Sequence, residues 1–497
     1  MDDRMGKTYR PWEPNRYAQE AHTPATKLPE GDLVFFLLDT VPQLDLSRFY
    51  RYYEEETRGA PPFDPAEMVC LLLYSYCVGV FSSRKIALAC ERNLAFLAIV
   101  GQDRPDFRTI SDFRKIHLDA FADVFVEVLR LAAAAGMVKL GNLAIDGTKI
   151  QANASRHKAM SYGYMKKEEQ RLRAEIDVLM QQAQSQDATE DAVLGSRRGD
   201  ELPEELRRRE DRLAVIRAAK QRLEEQARAE AEAERQRRQE AEAERQRTGR
   251  KRRGKEPGPI SEIPDDKAQT NFTDPELKMM KANNKGWDYC GNAQASVDEA
   301  FQIIVACEVS DAANDKQQAV PVAQATLENL QQAGITLPQD ADGQEQKIPA
   351  TLDSGYYSEE TAKAMEELGF DPYIATGRQR HHAPTEEPAP AAPGAAATPS
   401  PTATAQAPAA PGAAKAASPT ATAKEKMAAK LRTPTGRALY ARRKVIVEPV
   451  FGQIKGVRGF RRFLLRGLAR VRGEWRLVCL THNLLKIWRY RCAPSGT

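Results

Sequence analysis

The chain of 497 residues has little of several things, and each shortage excludes a class of protein. Cysteine is scarce and odd in number, at positions 70, 77, 90, 290, 307, 479 and 492, with no CxxC spacing. A secreted disulfide scaffold and a cysteine-rich zinc fold are therefore excluded. The thiols lie mostly in apolar stretches and are expected to be reduced core residues of a cytoplasmic protein. The six histidines do not cluster at zinc-ligand spacing. No apolar run reaches the roughly 18 residues of a membrane span. The best one, Val69–Phe81, carries Ser75 and two tyrosines. The N-terminal MDDRMGKTYRPWEP has no apolar signal region, so secretion is not expected. A hydrophobic fraction of 42% still suffices for two to four folded units.

Acidic residues are nearly absent from the C-terminal segment. Between Lys430 and Arg491 there are 17 Lys/Arg and two acids, Glu448 and Glu474. The segment carries +15 while the chain as a whole carries +4. Phe451, Phe460, Phe463, Trp475 and Trp488 are interleaved with the cations, so the segment is expected to fold and display its charge. Such concentration suggests a polyanion, nucleic acid above all.

Along the chain the pattern changes several times. Residues 1–30 are polar and expected to be loosely held. Residues 31–137 read as helical. Asp64-Pro65 starts one helix, Ser82-Ser83 caps a second, and Thr109 caps a third that carries Phe113, Arg114 and Lys115. Short helices, tight turns and exposed basic residues fit a helix-turn-helix-like module as well as a plain bundle. Leu143–Ile150 reads as a strand. A Glu/Arg/Gln/Ala-rich stretch at 165–256 reads as a charged helical hairpin, coiled-coil-like. Its apolar stripes are Leu172, Ile176 and Leu179, then Leu206, Leu213, Ile216 and Leu223, with a break between them from Ser185. It ends in the cluster Arg250–Arg253. Residues 292–299 and 301–310 form an expected β-hairpin. A helix, a strand at 347–352, a helix at 358–369 and a strand at 371–375 follow. Residues 381–425 are an Ala/Pro/Thr-rich linker. Helices then resume.

Without the hairpin and the linker, the order from Leu143 is strand, strand, strand, helix, strand, helix, strand, helices. That is the order of an RNase H-like fold. The expected class is α+β: an RNase H-like mixed sheet with flanking helices, interrupted by the helical insertion and preceded by an all-helical N-terminal domain. Asp146 lies inside the first strand, where an unpaired carboxylate costs desolvation. Asp353 follows the fourth strand, at the end where open sheets bind ligands, although on its own a turn residue before Gly355 is the favoured explanation. Glu448 is the third acid. On a continuous helix Lys444 and Lys455 lie within about 40° of it and Tyr440 within about 80°. Pro449 either kinks that helix or starts it, with Glu448 at the cap. Carboxylates so placed suit Mg²⁺ or Mn²⁺, and two ions clamp both sides of a phosphodiester.

Four motifs, AIDGTKIQANAS, GNAQASVDEAFQIIVACEVSDAANDKQQ, LDSGYYSEE and VEPVFGQIKGVRGFRRFLLRGL…EWRLVCLTHNLLK, resemble bacterial insertion-sequence transposases of the DDE class. The resemblance is to the insertion-sequence-four and -five superfamily, eleven-eighty-two group, and covers roughly residues 30–490 apart from the hairpin tip and linker. It implies that Asp146, Asp353 and Glu448 are the catalytic acids and hold two divalent ions, Mg²⁺ or Mn²⁺. It further implies cleavage of transposon terminal inverted repeats by metal-activated water, then attack of the 3′-hydroxyl on target DNA. The superfamily signature is Tyr, two residues, Arg, three residues, Glu, six residues, Lys. Tyr440, Arg443, Glu448 and Lys455 follow it, but Arg443 stands one residue too far from Glu448 and Lys444 occupies the expected gap; helical facing favours Lys444. Arg458, Arg461, Arg462 and Arg466 are implied phosphate contacts, with Tyr440, Arg443, Lys444 and Lys455 also facing DNA.

The expected domains are 1–30, flexible; 31–137, DNA-binding; 138–164 and 257–380, catalytic; 165–256, helical insertion; 381–425, linker; and 426–497, basic helices completing the catalytic domain. The implied assembly is a homodimer holding two DNA ends. A metal-dependent nuclease and a catalytically idle DNA-binding relic are the alternatives.

Overall fold

A computed structural model describes residues 9–12, 24–54, 60–194, 204–249, 257–282, 286–339, 343, 345–377 and 422–492. The linker core and the Arg250–Arg253 cluster lie outside the described residues. The chain divides into two compact units: unit 1 comprises 1–148, 292–461 and 472–497, and unit 2 comprises 149–291 and 462–471.

Unit 1 begins with helices α1 (Leu33–Thr40), α2 (Ser47–Glu54), α3 (Pro65–Cys77), α4 (Ser83–Arg92), α5 (Leu94–Val100), α6 (Phe107–Ile116) and α7 (Ala120–Ala134). Asp64 caps α3 through the Ala66 N–H, with Pro65 in the first turn, and every residue of that helix is buried. Two expected caps differ. Ser82 stands at the start of α4 without a side-chain capping bond. Asp106, not Thr109, caps α6, accepting from the Thr109 N–H at 2.7 Å. Arg114 of α6 is not an exposed cation. It is buried and donates to Tyr76 Oη, Phe81 O and Ser83 Oγ.

Strand β1 (Leu143–Gln151) is followed by unit 2. There β2 (Ala159–Ser161) leads into helices α8 (Tyr162–Leu194) and α9 (Glu204–Thr248), then β3 (Gln269–Asn271) and β4 (Lys278–Lys281). The helices pack through Tyr162, Met165, Leu172, Leu213, Ile216, Ala219 and Leu223, with Ile176 beside them. The stripes thus meet at Leu172 and Ile176 and at Leu213, Ile216 and Leu223, while the side chain of Leu206 lies outside the described residues. Helix α8 runs into the expected break, as far as Leu194. Strand β2 pairs antiparallel with β3, and β4 with the start of β5 (Trp287–Asp298).

The remainder of unit 1 holds β6 (Ile304–Ser310), α10 (Ala319–Gln332), β7 (Ile348–Leu352), α11 (Glu359–Glu367), β8 (Phe370–Ile374), α12 (Ala423–Arg432), α13 (Pro434–Gly452) and α14 (Leu468–Cys492). Its strands lie in the order β6-β5-β1-β7-β8. Strand β6 runs antiparallel to β5, while β1, β7 and β8 are parallel, with Leu143 opposite Ala350 and Ile348 opposite Phe370. The fold is a mixed α+β one; β1, β5, β6, α10, β7, α11 and β8 follow the expected order, and the short strands β2, β3 and β4 were not expected. β1 and β7 are neighbours, which brings Asp146 and Asp353 to the same end of the sheet.

Among the described residues no helix is long and apolar enough to cross a membrane. Six of the seven cysteines are buried, and Cys492 is exposed.

Candidate active site

Asp146 sits in β1 with its carboxylate largely buried. Oδ1 accepts the Gly147 N–H at 2.8 Å, and Oδ2 accepts Arg443 Nη1 at 2.8 Å. Burial raises its carboxyl to about 6. Arg443 and the Gly147 N–H pull the other way, while the charges of Asp353 and Asp315 add to the rise. Asp353 follows β7 and caps a short 3₁₀ turn, accepting the Gly355 N–H at 2.7 Å. It is both a turn residue and a member of the acidic group.

Asp315 is a residue that sequence reasoning missed. Its Oδ1 accepts Asn292 Nδ2 at 2.7 Å and Gln294 Nε2 at 2.9 Å. Both amides are fully buried on β5, and Tyr356 Oη donates to Gln294 Oε1. Gly147 lets this layer approach. A Cβ there would stand 2.2 Å from Gln294 Nε2 and 2.9 Å from Asp315 Oδ1. The available signal was Asn292 and Gln294 themselves. Two amides at i and i+2 face the same side of a strand, and if buried they need a polar partner.

Helix α13 continues through Pro449 to Gly452, so Pro449 neither starts it nor leaves Glu448 at a cap. Proline cannot donate to the carbonyl four residues earlier. Gln302 Nε2 serves that carbonyl, Val445 O, at 2.9 Å. Arg443 is buried against Asp146, with its guanidinium 5.9 Å from the Tyr440 ring, whereas Lys444 is exposed. The structure therefore reverses the preference for Lys444. Helical phase measured from Glu448 was a poor guide, because Glu448 is itself exposed and is not among the charges acting most strongly on Asp146. A turn of π-helix at Gln453–Val457 breaks the α-helical phase before Lys455, whose Nζ donates to Thr148 Oγ1 at 2.8 Å.

The residue types fit a divalent cation, since carboxylate oxygens are the hard donors that Mg²⁺ and Mn²⁺ take. Among the described residues, however, no three His, Cys, Asp or Glu side chains are grouped closely enough to hold an ion. The structure brings Asp146 and Asp353 into electrostatic contact and does not bring Glu448 to them.

Comparison with known families gives two matches. A family model described as Transposase DDE domain matches residues 412–488. One described as Transposase domain (DUF772) matches residues 23–116. Together the two matches indicate a DDE-type insertion-sequence transposase. No curated protein and no solved structure matches it.

The basic residues of this transposase separate into two kinds. Arg458, expected to contact phosphate, is buried. It donates to Thr481 Oγ1 at 2.8 Å and Val478 O at 3.1 Å, and burial lowers its guanidinium to about 10. It is a packing residue, because its helical turn folds back on α14. Arg461, Arg462 and Arg466 are exposed, as a DNA contact requires.

Proposed function

We propose that this transposase binds the terminal inverted repeats of its element, cleaves the strands there and joins the freed 3′-hydroxyl to target DNA. The observation that carries the reading is one contact. Arg443, from the segment that matches a transposase DDE domain, reaches Asp146 of β1, which is under the influence of Asp353. In this reading the unit 1 sheet is an RNase H-like core, and α8 and α9 are an insertion in it. Residues 31–137 are a DNA-binding domain, and the chain belongs to the four/five superfamily, eleven-eighty-two group. It works in the cytoplasm as a homodimer that holds two ends together.

Asp146 and Asp353 would hold Mg²⁺ or Mn²⁺, and the reading requires Glu448, which the structure does not group with them, to join them when the ion is bound. Bound ions stabilise the charge that develops on the phosphodiester during in-line displacement. The chain's own residues do the rest. Arg443 holds Asp146 in orientation and offers a guanidinium fork that matches phosphate geometry. Lys455, hydrogen-bonded beside β1, places a point charge next to the acids. Tyr440, its hydroxyl pushed up by burial, stays protonated at neutral pH. It fits a hydrogen-bond contact better than a nucleophile.

The test is a joining assay. Purified protein, a labelled duplex carrying the element's terminal repeat, supercoiled target plasmid and Mg²⁺ are combined. Label covalently joined to plasmid supports the transposase reading. Cut duplex with no joined product supports a nuclease, and binding without cutting supports an idle DNA-binding protein.

A further inference from the structure

Unit 2 carries a concave basic surface. It is a cavity of about 580 Å³ lined by Gln151, Asn153 to Lys158, Thr273, Asp288, Arg462 and Arg466. Arg156, His157 and Lys158 follow one another on an exposed 3₁₀ turn, and Arg462 and Arg466 are exposed opposite them. Four permanent cations thus face one carboxylate. That carboxylate, Asp288, is already matched: Arg156 donates to it through Nε at 3.1 Å and Nη2 at 2.9 Å, which holds its carboxyl below the usual range.

The common explanation for such a patch is a solvated basic face. The construction of this one differs, because both walls are fixed by reciprocal bonds. Phe463 N donates to Gln151 O at 2.8 Å, Asn153 Nδ2 to Leu464 O at 2.7 Å, and Arg466 Nε to Asn153 O at 3.0 Å. Asn271 Nδ2 donates to Ser155 O at 2.7 Å, and Phe272 N to Lys158 O at 2.9 Å. Cations on a pinned backbone lose little freedom on meeting a partner, which is what a preorganised site requires. The lining contains no Phe, Tyr or Trp on which a base would stack, and its donors are suited to phosphate oxygens.

We propose that this cleft is a binding surface for the DNA phosphate backbone, formed by the turn at Arg156–Lys158 with Arg462 and Arg466. The proposal rests on the transposase reading and extends it to residues 156–158. Contacts of this kind add affinity without sequence preference and make binding steeply salt-dependent.

The test measures binding by the full chain to two labelled duplexes of equal length, one carrying the terminal repeat and one scrambled, over a series of salt concentrations. Wild type is compared with Lys158→Ala/Arg466→Ala, with Lys158→Glu, and with Lys363→Ala, which removes an exposed cation on α11. Thermal unfolding of each variant checks folding, and the single Lys158→Glu change guards against loss of the Arg466–Asn153 bond. The double variant is expected to bind both duplexes roughly tenfold more weakly, with the salt slope shallower by about 2, and Lys363→Ala to match wild type. Unchanged affinity and slope in the folded double and Lys158→Glu variants, with wild type still binding, would overturn the cleft and leave the transposase reading intact. A loss confined to the terminal-repeat duplex would also overturn it, since that is sequence readout. Failure of wild type to bind either duplex overturns both readings.

Discussion

Arg443 Nη1 meets Asp146 Oδ2 at 2.8 Å, so a cation from α13 is bound to an acid inside β1. Both side chains are largely buried, at 10% and 21% exposure. Removing one partner of such a pair leaves the other's charge without compensation. Arg443→Ala is expected to lower stability by about 2–3 kcal/mol in urea unfolding. Arg443→Lys is expected to recover only part of this, because lysine lacks the planar fork.

Gly147 is expected to tolerate no side chain. An added Cβ would collide with Gln294 Nε2, and Gln294 is fully buried and tied to Asn292 and Asp315. Gly147→Ala should cost about 1–3 kcal/mol by overpacking. Gln294→Leu should cost a similar amount by leaving Asp315 and Tyr356 short of partners. Urea midpoints at constant slope check both.

Glu67 makes stability depend on pH. It lies fully buried inside α3, with Asp103 beside its carboxyl. Burial, with the charges of Asp103 and Asp64 against that of Arg10, raises its carboxyl from 4.5 to about 9. The folded state therefore holds a proton that the unfolded state releases. The stabilisation is complete below about pH 4.5 and is lost as pH rises toward about 9. Glu67→Gln removes this loss. Its melting temperature should draw level with wild type near pH 4 and exceed it increasingly up to pH 9.

Much of this arrangement was legible from sequence, because periodicity and caps are local. The order of β1, β5, β6, β7 and β8, the meeting of Leu172 with the Leu213–Leu223 stripe, and the positions of Asp146 within β1 and Asp353 after β7 followed from pattern, whereas the short strands β2, β3 and β4 and the pairing of β1 with β7 did not. What was not legible depends on contacts distant in sequence. Arg114 and Arg458 are indistinguishable from surface cations until Ser83 and Thr481 are found beside them. The choice between Arg443 and Lys444 needed the position of β1, which helical phase does not contain. Asp315 lies in an irregular segment after β6, and only the folding of β5 brings Asn292 and Gln294 to it.

The acid set Asp146, Asp353 and Glu448 is the central claim. Its most direct test is cleavage of a terminal-repeat duplex in Mg²⁺ by wild type, Asp146→Asn, Asp353→Asn and Glu448→Gln, with DNA binding measured alongside. Wild type is expected to cut, and each variant to bind normally and lose at least about 100-fold in cleavage rate. Cutting by Glu448→Gln at the wild-type rate would contradict the assignment of the third acid.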